Sequence, residues 1–387
     1  MQRIATIATI VTQHVEDAAF LWSRRRREID GQILGEIDIG RIDQRLDANL
    51  EGLFASGEAA WKLAVARFSD YAEPAELFVM GALAFHWGDG TAISATLEAA
   101  ASIGEGGIQG LSGAIARMPY ERLRPHVGKW LDAKEPLLLS LGLSAVWHCR
   151  VDLGVRLNDL IANDDIGVRT RAIRLAGAIK RRDLLPAILK ALDANDSDER
   201  LTAACAACVL GEALSAYPAL DKLARLEPAI ATQAFKMRLL ATPGKAGKSW
   251  LQERLDQSSL HAQAIAAIGL FGDRSIMPWL IEKMREPDLA YSSGLALRDL
   301  FEVDFNDTDV FTIDPPSLGE KFHQIEDYPL PVADKVETWW DKGRGPDKHE
   351  RFLSMCRLKL DAYRAALANP FAPLVDWRRT RQFPAWM

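Results

Sequence analysis

Apolar residues recur along this chain at helical spacing, and the segments they mark recur in turn. Leu131, Leu160, Leu192, Leu223, Leu255 and Met284 fall in one column, with steps of 29, 32, 31, 32 and 29 residues. Ala100 and Phe68 extend the column upstream. Between column positions each unit reads as a polar turn, a helix rich in small residues, a short link and a second helix. One unit opens on Asn163-Asp164-Asp165, good turn and N-cap chemistry, runs through Val168, Ala172, Ile173 and Ala176, and breaks near Lys180. Pro186 opens its second helix, where the missing N–H costs little. The next unit begins at Asn195-Asp196-Ser197-Asp198 and carries Leu201, Ala204 and Ala207; a later one has Ala264, Ala267, Ile268 and Phe271-Gly272-Asp273, with Pro278 opening the partner helix. A period of about 31 residues predicts helical pairs that bury a core only against their neighbours. The expected fold is all-α: a right-handed α-solenoid over residues 67–300, capped by residues 1–66 and 301–387.

The flanks read differently. A first helix is expected over Val11–Arg27, with Val11, Val15, Ala18 or Ala19, and Trp22 on one face and Arg24-Arg25-Arg26-Arg27 in its last turn, where cations suit the helix dipole. A loop with Gly31, Gly35 and Gly40 follows, then a helix from about Arg41 carrying Ile42, Leu46, Leu50 and Leu53, interrupted at Gly57. This pair is the expected N-terminal cap. After Asp304 the runs Asp304-Phe305-Asn306-Asp307 and Asp314-Pro315-Pro316 cannot continue a helix, and Tyr328-Pro329-Leu330-Pro331 is extended. Helices are expected again over Ala333–Lys342 and Glu350–Leu367, before a tail with Trp377 and Trp386.

Composition narrows the function classes. The chain has 387 residues, is 48% hydrophobic, and sets 47 basic against 53 acidic side chains for a formal charge of −6, which argues against general affinity for nucleic acid or anionic membrane. Cys149, Cys205, Cys208 and Cys356 are too few for a disulfide framework and read as thiols in a reducing compartment. No segment has a signal peptide's layout or the length of a membrane span, so a cytoplasmic location is expected.

Several motifs tempt toward chemistry and fall short. Gly244-Lys245-Ala246-Gly247-Lys248-Ser249 evokes a phosphate loop, but Thr242 stands where the first glycine belongs, and the segment before it is helical; an inter-helix turn is expected instead. Cys205-x-x-Cys208 lacks a second ligand pair and sits among alanines, as core filler would. His148-Cys149 has no third partner. Asp193-x-Asn195-x-Ser197 and Asp304-x-Asn306-x-Thr308 lack the glycine and glutamate of a calcium loop. No catalytic, metal or cofactor residues are therefore assigned. The cluster Arg169, Arg171, Arg174, Lys180, Arg181 and Arg182 reads as a solvated helix edge, a contact for an acidic protein, or a contact for nucleic acid, in that order of fit. Most of the eleven tryptophans suit the core, and Trp377 and Trp386 in the tail are the candidates for a contact surface.

The array resembles HEAT repeats of the short kind also found in phycobilisome lyases. The N-terminal pair is more specific: Ala18-Ala19-Phe20-Leu21-Trp22-x-x-Arg25, then Ile42-Asp43-x-Arg45-Leu46-x-Ala48-x-Leu50-x-Gly52-Leu53 and Gly57-Glu58-Ala59-x-Trp61. It resembles the opening of a bacterial family of HEAT-like repeat proteins with no established activity, often encoded beside type VI secretion genes. Leu330-Pro331, Trp339-Trp340 and Arg381-Gln382 stand in similar order, whereas Gly343-Arg344-Gly345-Pro346 replaces a Gly-x-Arg-Tyr-like element. The repeat array is expected to serve as a non-catalytic protein-binding scaffold or adaptor, and the resemblance implies an accessory role around a type VI secretion apparatus, with a secretion component, effector or toxin as partner. An immunity-like toxin inhibitor and a helical-repeat DNA glycosylase or lyase remain the competing readings.

Overall fold

The computed structural model describes residues 7–31, 36–242, 244–257, 260–270, 276–301, 303–325 and 328–342. Among them the chain is almost wholly α-helical, and none of the helices is long and apolar enough to cross a membrane. It divides into two compact units, Met1–Ile179 and Lys180–Met387. The division lies within the expected array, and one helix, Glu58–Asp70, runs through the expected boundary at residues 66 and 67.

In the first unit, α1 (Ala8–Gly31) lies against α2 (Glu36–Ser56), α3 (Glu58–Asp70) and α4 (Pro74–Trp87). Gly57 separates α2 from α3 as expected, with φ of 57°, a conformation that glycine adopts without steric cost. Helix α1 continues past Arg27, so the four arginines do not form its last turn. Two of them reach other elements instead: Arg25 pairs with Asp43 at 2.6 Å, and Arg26 donates to Gln109 at 2.6 Å. Gly40, expected in a loop, lies inside α2.

From α4 a row of helices begins. Helix α4 packs on α6 (Glu105–Ile115), α6 on α8 (Pro136–His148), and α8 on α10 (Ile166–Ala178). Helices α5 (Gly90–Ser102), α7 (Tyr120–Asp132) and α9 (Arg156–Ile161) alternate with them; α5 touches both α4 and α6. Helix α4 is apolar on all sides: every residue from Ala75 to Phe85 is buried. Small residues permit this closeness. A Cβ on Gly110 of α6 would stand 2.4 Å from the Pro74 carbonyl oxygen, and one on Gly113 would stand 2.4 Å from Trp22 Nε1. Trp22 in turn stacks on Phe78 at 5.1 Å and ties α1 to the row. Ser112 and Ser144 share a hydrogen bond of 2.8 Å between α6 and α8. Buried Glu76, 3.6 Å from Arg67, has its carboxyl held above the ordinary value by desolvation.

The second unit repeats the plan. Its row is α12 (Ser197–Val209), α14 (Pro228–Leu240), α16 (His261–Ala267) and α18 (Pro287–Phe301), each packing on the next. Helix α11 (Leu185–Lys190) precedes α12, and α13 (Ala213–Leu223), α15 (Gly244–Leu255) and α17 (Met277–Met284) alternate with the row. The Gly244–Ser249 segment, expected as a turn, forms the first turns of α15, whose Trp250 and Leu251 are buried. Asp165 and Asp196 cap α10 and α12 as their sequence promised, accepting from Val168 N and Glu199 N.

After α18 the chain turns extended. Short strands β1 (Phe311–Thr312) and β2 (Leu330–Pro331) pair antiparallel, Phe311 opposite Pro331 and Thr312 opposite Leu330. Leu330 and Phe322 bury against Ala290 of α18, and α19 (Ala333–Asp341) packs on α17, where Arg285 pairs with Asp334 at 2.5 Å and Glu337 at 3.0 Å. The segment is thus laid over α17 and α18. The expected helix over Glu350–Leu367 lies outside the described residues.

Candidate functional site

The basic run at residues 169–182, read first as a solvated helix edge, is partly exposed and makes hydrogen bonds and ion pairs within the protein. On α10, Arg169 donates to the carbonyls of Asn163 and Asp164 at 2.8 and 2.9 Å, closing the turn that precedes its own helix. Arg171 pairs with Glu105 at the start of α6 and donates to the Gly167 carbonyl. Arg174 is half-buried on the same helix. The other three cations lie in the second unit. Lys180 Nζ donates to the Val209 carbonyl and Arg182 Nε to the Leu210 carbonyl, both at 3.0 Å, which satisfies the C-terminal end of α12. Arg181 holds Asp183 through two N–H donors at 2.8 and 2.7 Å. Desolvation, helped by Arg182, pulls the Lys180 ammonium down to about 8. Trp377 and Trp386 lie outside the described residues.

The thiols of Cys149, Cys205 and Cys208 lack the environment of nucleophiles or ligands, and Cys356 lies outside the described residues. Cys205 and Cys208 are buried in α12, and burial pushes the Cys208 thiol up to about 12. Cys149 is half-buried, and its thiol is raised first by desolvation and then by Glu121. Asp304 accepts from Asn306 N, and Asp307 from Asp309 N, so those carboxylates are occupied as turn-formers. Among the described residues no three His, Cys, Asp or Glu side chains come together as a metal site.

A cluster absent from the sequence expectations joins α13, α14 and α15. The Arg238 guanidinium lies 3.5 Å from the Tyr217 ring centroid and 4.9 Å from that of Trp250, and Arg254 covers Trp250 at 4.6 Å. Asp221 stands 3.2 Å from Arg238 Nε and 3.9 Å from Arg254. Desolvation holds the Arg238 guanidinium below its ordinary value, while Asp221 opposes that shift. Arg238 is buried, so this stack binds helices to one another and offers little to a ligand. Its signal was legible: Lys236 and Arg238 interrupt the apolar run Phe235–Leu240, and a charge inside such a run implies a buried partner.

The polar chemistry of these residues is mostly carbonyl capping and ion pairing between helices. No protein-family model matches the chain, and no curated protein or solved structure matches it either.

Proposed function

We propose that this chain is a right-handed α-solenoid of short HEAT-like helical pairs and serves as a non-catalytic protein-binding scaffold or adaptor. One observation carries the reading. Helices α4, α6, α8, α10, α12 and α14 open at Pro74, Glu105, Pro136, Ile166, Ser197 and Pro228, at intervals of 31, 31, 30, 31 and 31 residues. The apolar column of the sequence falls in step with them. Leu131, Leu160, Leu223, Leu255 and Met284 each occupy the last or next-to-last position of α7, α9, α13, α15 and α17. An ion pair from Arg171 on α10 to Glu105 on α6, with α8 between them, fits a row curved toward that face.

Such an array presents side chains from successive units on a framework that is ordered before binding, so little conformational entropy is lost on association. The resemblance of the N-terminal helices to the HEAT-like family supplies the setting: an accessory role around a type VI secretion apparatus in the cytoplasm. The partner in that setting is a secretion component, effector or toxin. A tagged pull-down from the native host, read by mass spectrometry at low and moderate salt, tests it. A stoichiometric protein retained at moderate salt is the expected result. Recovery of nucleic acid alone, lost steeply as salt rises, would overturn the reading.

A further inference from the structure

Helix α7 buries Leu123, Val127, Trp130 and Leu131, and packs on α8 and on the end of α4. Beside that buried face runs a second line. Arg122, His126 and Lys129 follow one another at steps of four and three residues, so they share one flank and span about 10 Å of the helix axis. Trp130 ties this flank to α4, its ring meeting Phe85 at 5.8 Å and His126 at 5.8 Å. His86, the next residue of α4, lies near Arg122 and stacks on Phe54 of α2 at 3.7 Å. Arg122 and Lys129 are exposed, and the two imidazoles are half-buried.

The flank is basic and is not neutralised by the fold. Among the described residues neither Arg122 nor Lys129 makes an ion pair or a side-chain hydrogen bond. Desolvation and then Arg122 lower the His86 imidazole, and desolvation and then Lys129 lower that of His126, so the charge acting on each ring is a cation. The carboxylates of α7 are engaged elsewhere: Asp132 pairs with Arg156 at 2.7 Å, and Glu121 bears on Cys149. Arg122 also stands in the first turn of α7, where the helix dipole disfavours a cation.

We propose that this flank, Arg122, His126 and Lys129 with His86 beside them, is the docking surface for an acidic segment of a protein partner; the inference rests on the scaffold reading. Charge complementarity names the occupant. Arg122 and Lys129 supply full charges, and the imidazoles supply N–H donors between and beside them. Carboxylates on alternate residues of an extended segment stand about 7 Å apart, so two of them fit a line of this length. Nucleic acid calls for a longer basic track, whereas this chain carries a formal charge of −6.

The test reads fluorescence anisotropy of labelled octaglutamate, and of a single-stranded oligonucleotide of equal charge, against the chain at low and physiological salt. Octaglutamate stands for the acidic segment. Wild type should bind it, and Arg122→Gln/Lys129→Gln should bind it about tenfold more weakly. Arg124→Gln/Lys222→Gln removes as much charge from the opposite flank of α7 and from α13, and should cost less than about twofold. Arg122→Lys/Lys129→Arg keeps both charges and should bind as wild type does. No binding by wild type, equal losses in the two glutamine proteins, or a charge-keeping protein as weak as Arg122→Gln/Lys129→Gln would each overturn the proposal. So would tighter binding of the oligonucleotide, which would make the flank a phosphate surface. Thermal unfolding of Arg122→Gln/Lys129→Gln should match wild type; a drop of several degrees would also overturn it, because the charges would then serve the fold. The peptide needs no native partner, so its failure leaves the scaffold reading standing. An empty pull-down, conversely, leaves the peptide result intact.

Discussion

Lys180 shows how one side chain can satisfy a helix end and still work against its own charge. Its ammonium donates to the Val209 carbonyl, yet desolvation and Arg182 pull it down from 10.5 to about 8. The unfolded chain keeps that proton up to 10.5, whereas the folded protein releases it near 8. Between those values the unfolded state binds more protons, so this residue's contribution to stability rises with pH. Below the folded value the penalty for the buried charge is present in full. Lys180→Met removes the titration and keeps most of the stem. Denaturant midpoints of the two proteins, compared at neutral pH and near the upper end of that window, should move in favour of the wild type as pH rises. A difference that stays constant would mean that Lys180 titrates at its ordinary value when folded.

At the scale of elements, helix α6 illustrates how the sequence sets packing distance. Gly110 lets α6 approach the opening of α4, where a Cβ would stand 2.4 Å from a backbone oxygen that cannot swing aside. Gly128 lies inside α7, and a Cβ added there would meet nothing within 4 Å. The two glycines should therefore respond to alanine with opposite signs. Gly110→Ala should cost about 1–3 kcal/mol through overpacking. Gly128→Ala should add about 0.5–1 kcal/mol by favouring the helix. Urea unfolding of both variants decides it, and a Gly110→Ala protein as stable as wild type would mean that α6 shifts freely. Elements of this kind were legible because their signals are local: Asp165 and Asp196 cap helices, Gly57 separates two, and Pro186 and Pro278 stand in first turns. The illegible parts depend on distant partners. Strand β1 exists because Leu330–Pro331 returns beside it, and nothing within Phe311–Thr312 announces that. The arginines of α1 likewise looked like a helix end because Asp43 and Gln109 are far away in sequence. The basic run near residue 180 was the least readable, since its acceptors are backbone carbonyls, which leave no mark on residue identity.

For the whole molecule, the two compact units raise the question of cooperativity. Each has its own row of helices and its own buried apolar residues, and the rows are built from contacts between successive neighbours. A fold of that kind holds its stability as a sum of local and nearest-neighbour terms, so damage in one place need not spread through the chain. Gly110→Ala places the damage in the first unit, between α4 and α6. Amide exchange should then accelerate in α4, α6 and α8, while α14, α16 and α18 keep their wild-type protection. Hydrogen exchange with mass spectrometry reads both regions in one experiment. Equal acceleration everywhere would mean that the chain unfolds as one block. That result would count against the proposed solenoid reading. Graded loss of protection, falling with distance along the chain from Gly110, is the outcome that the proposed solenoid predicts.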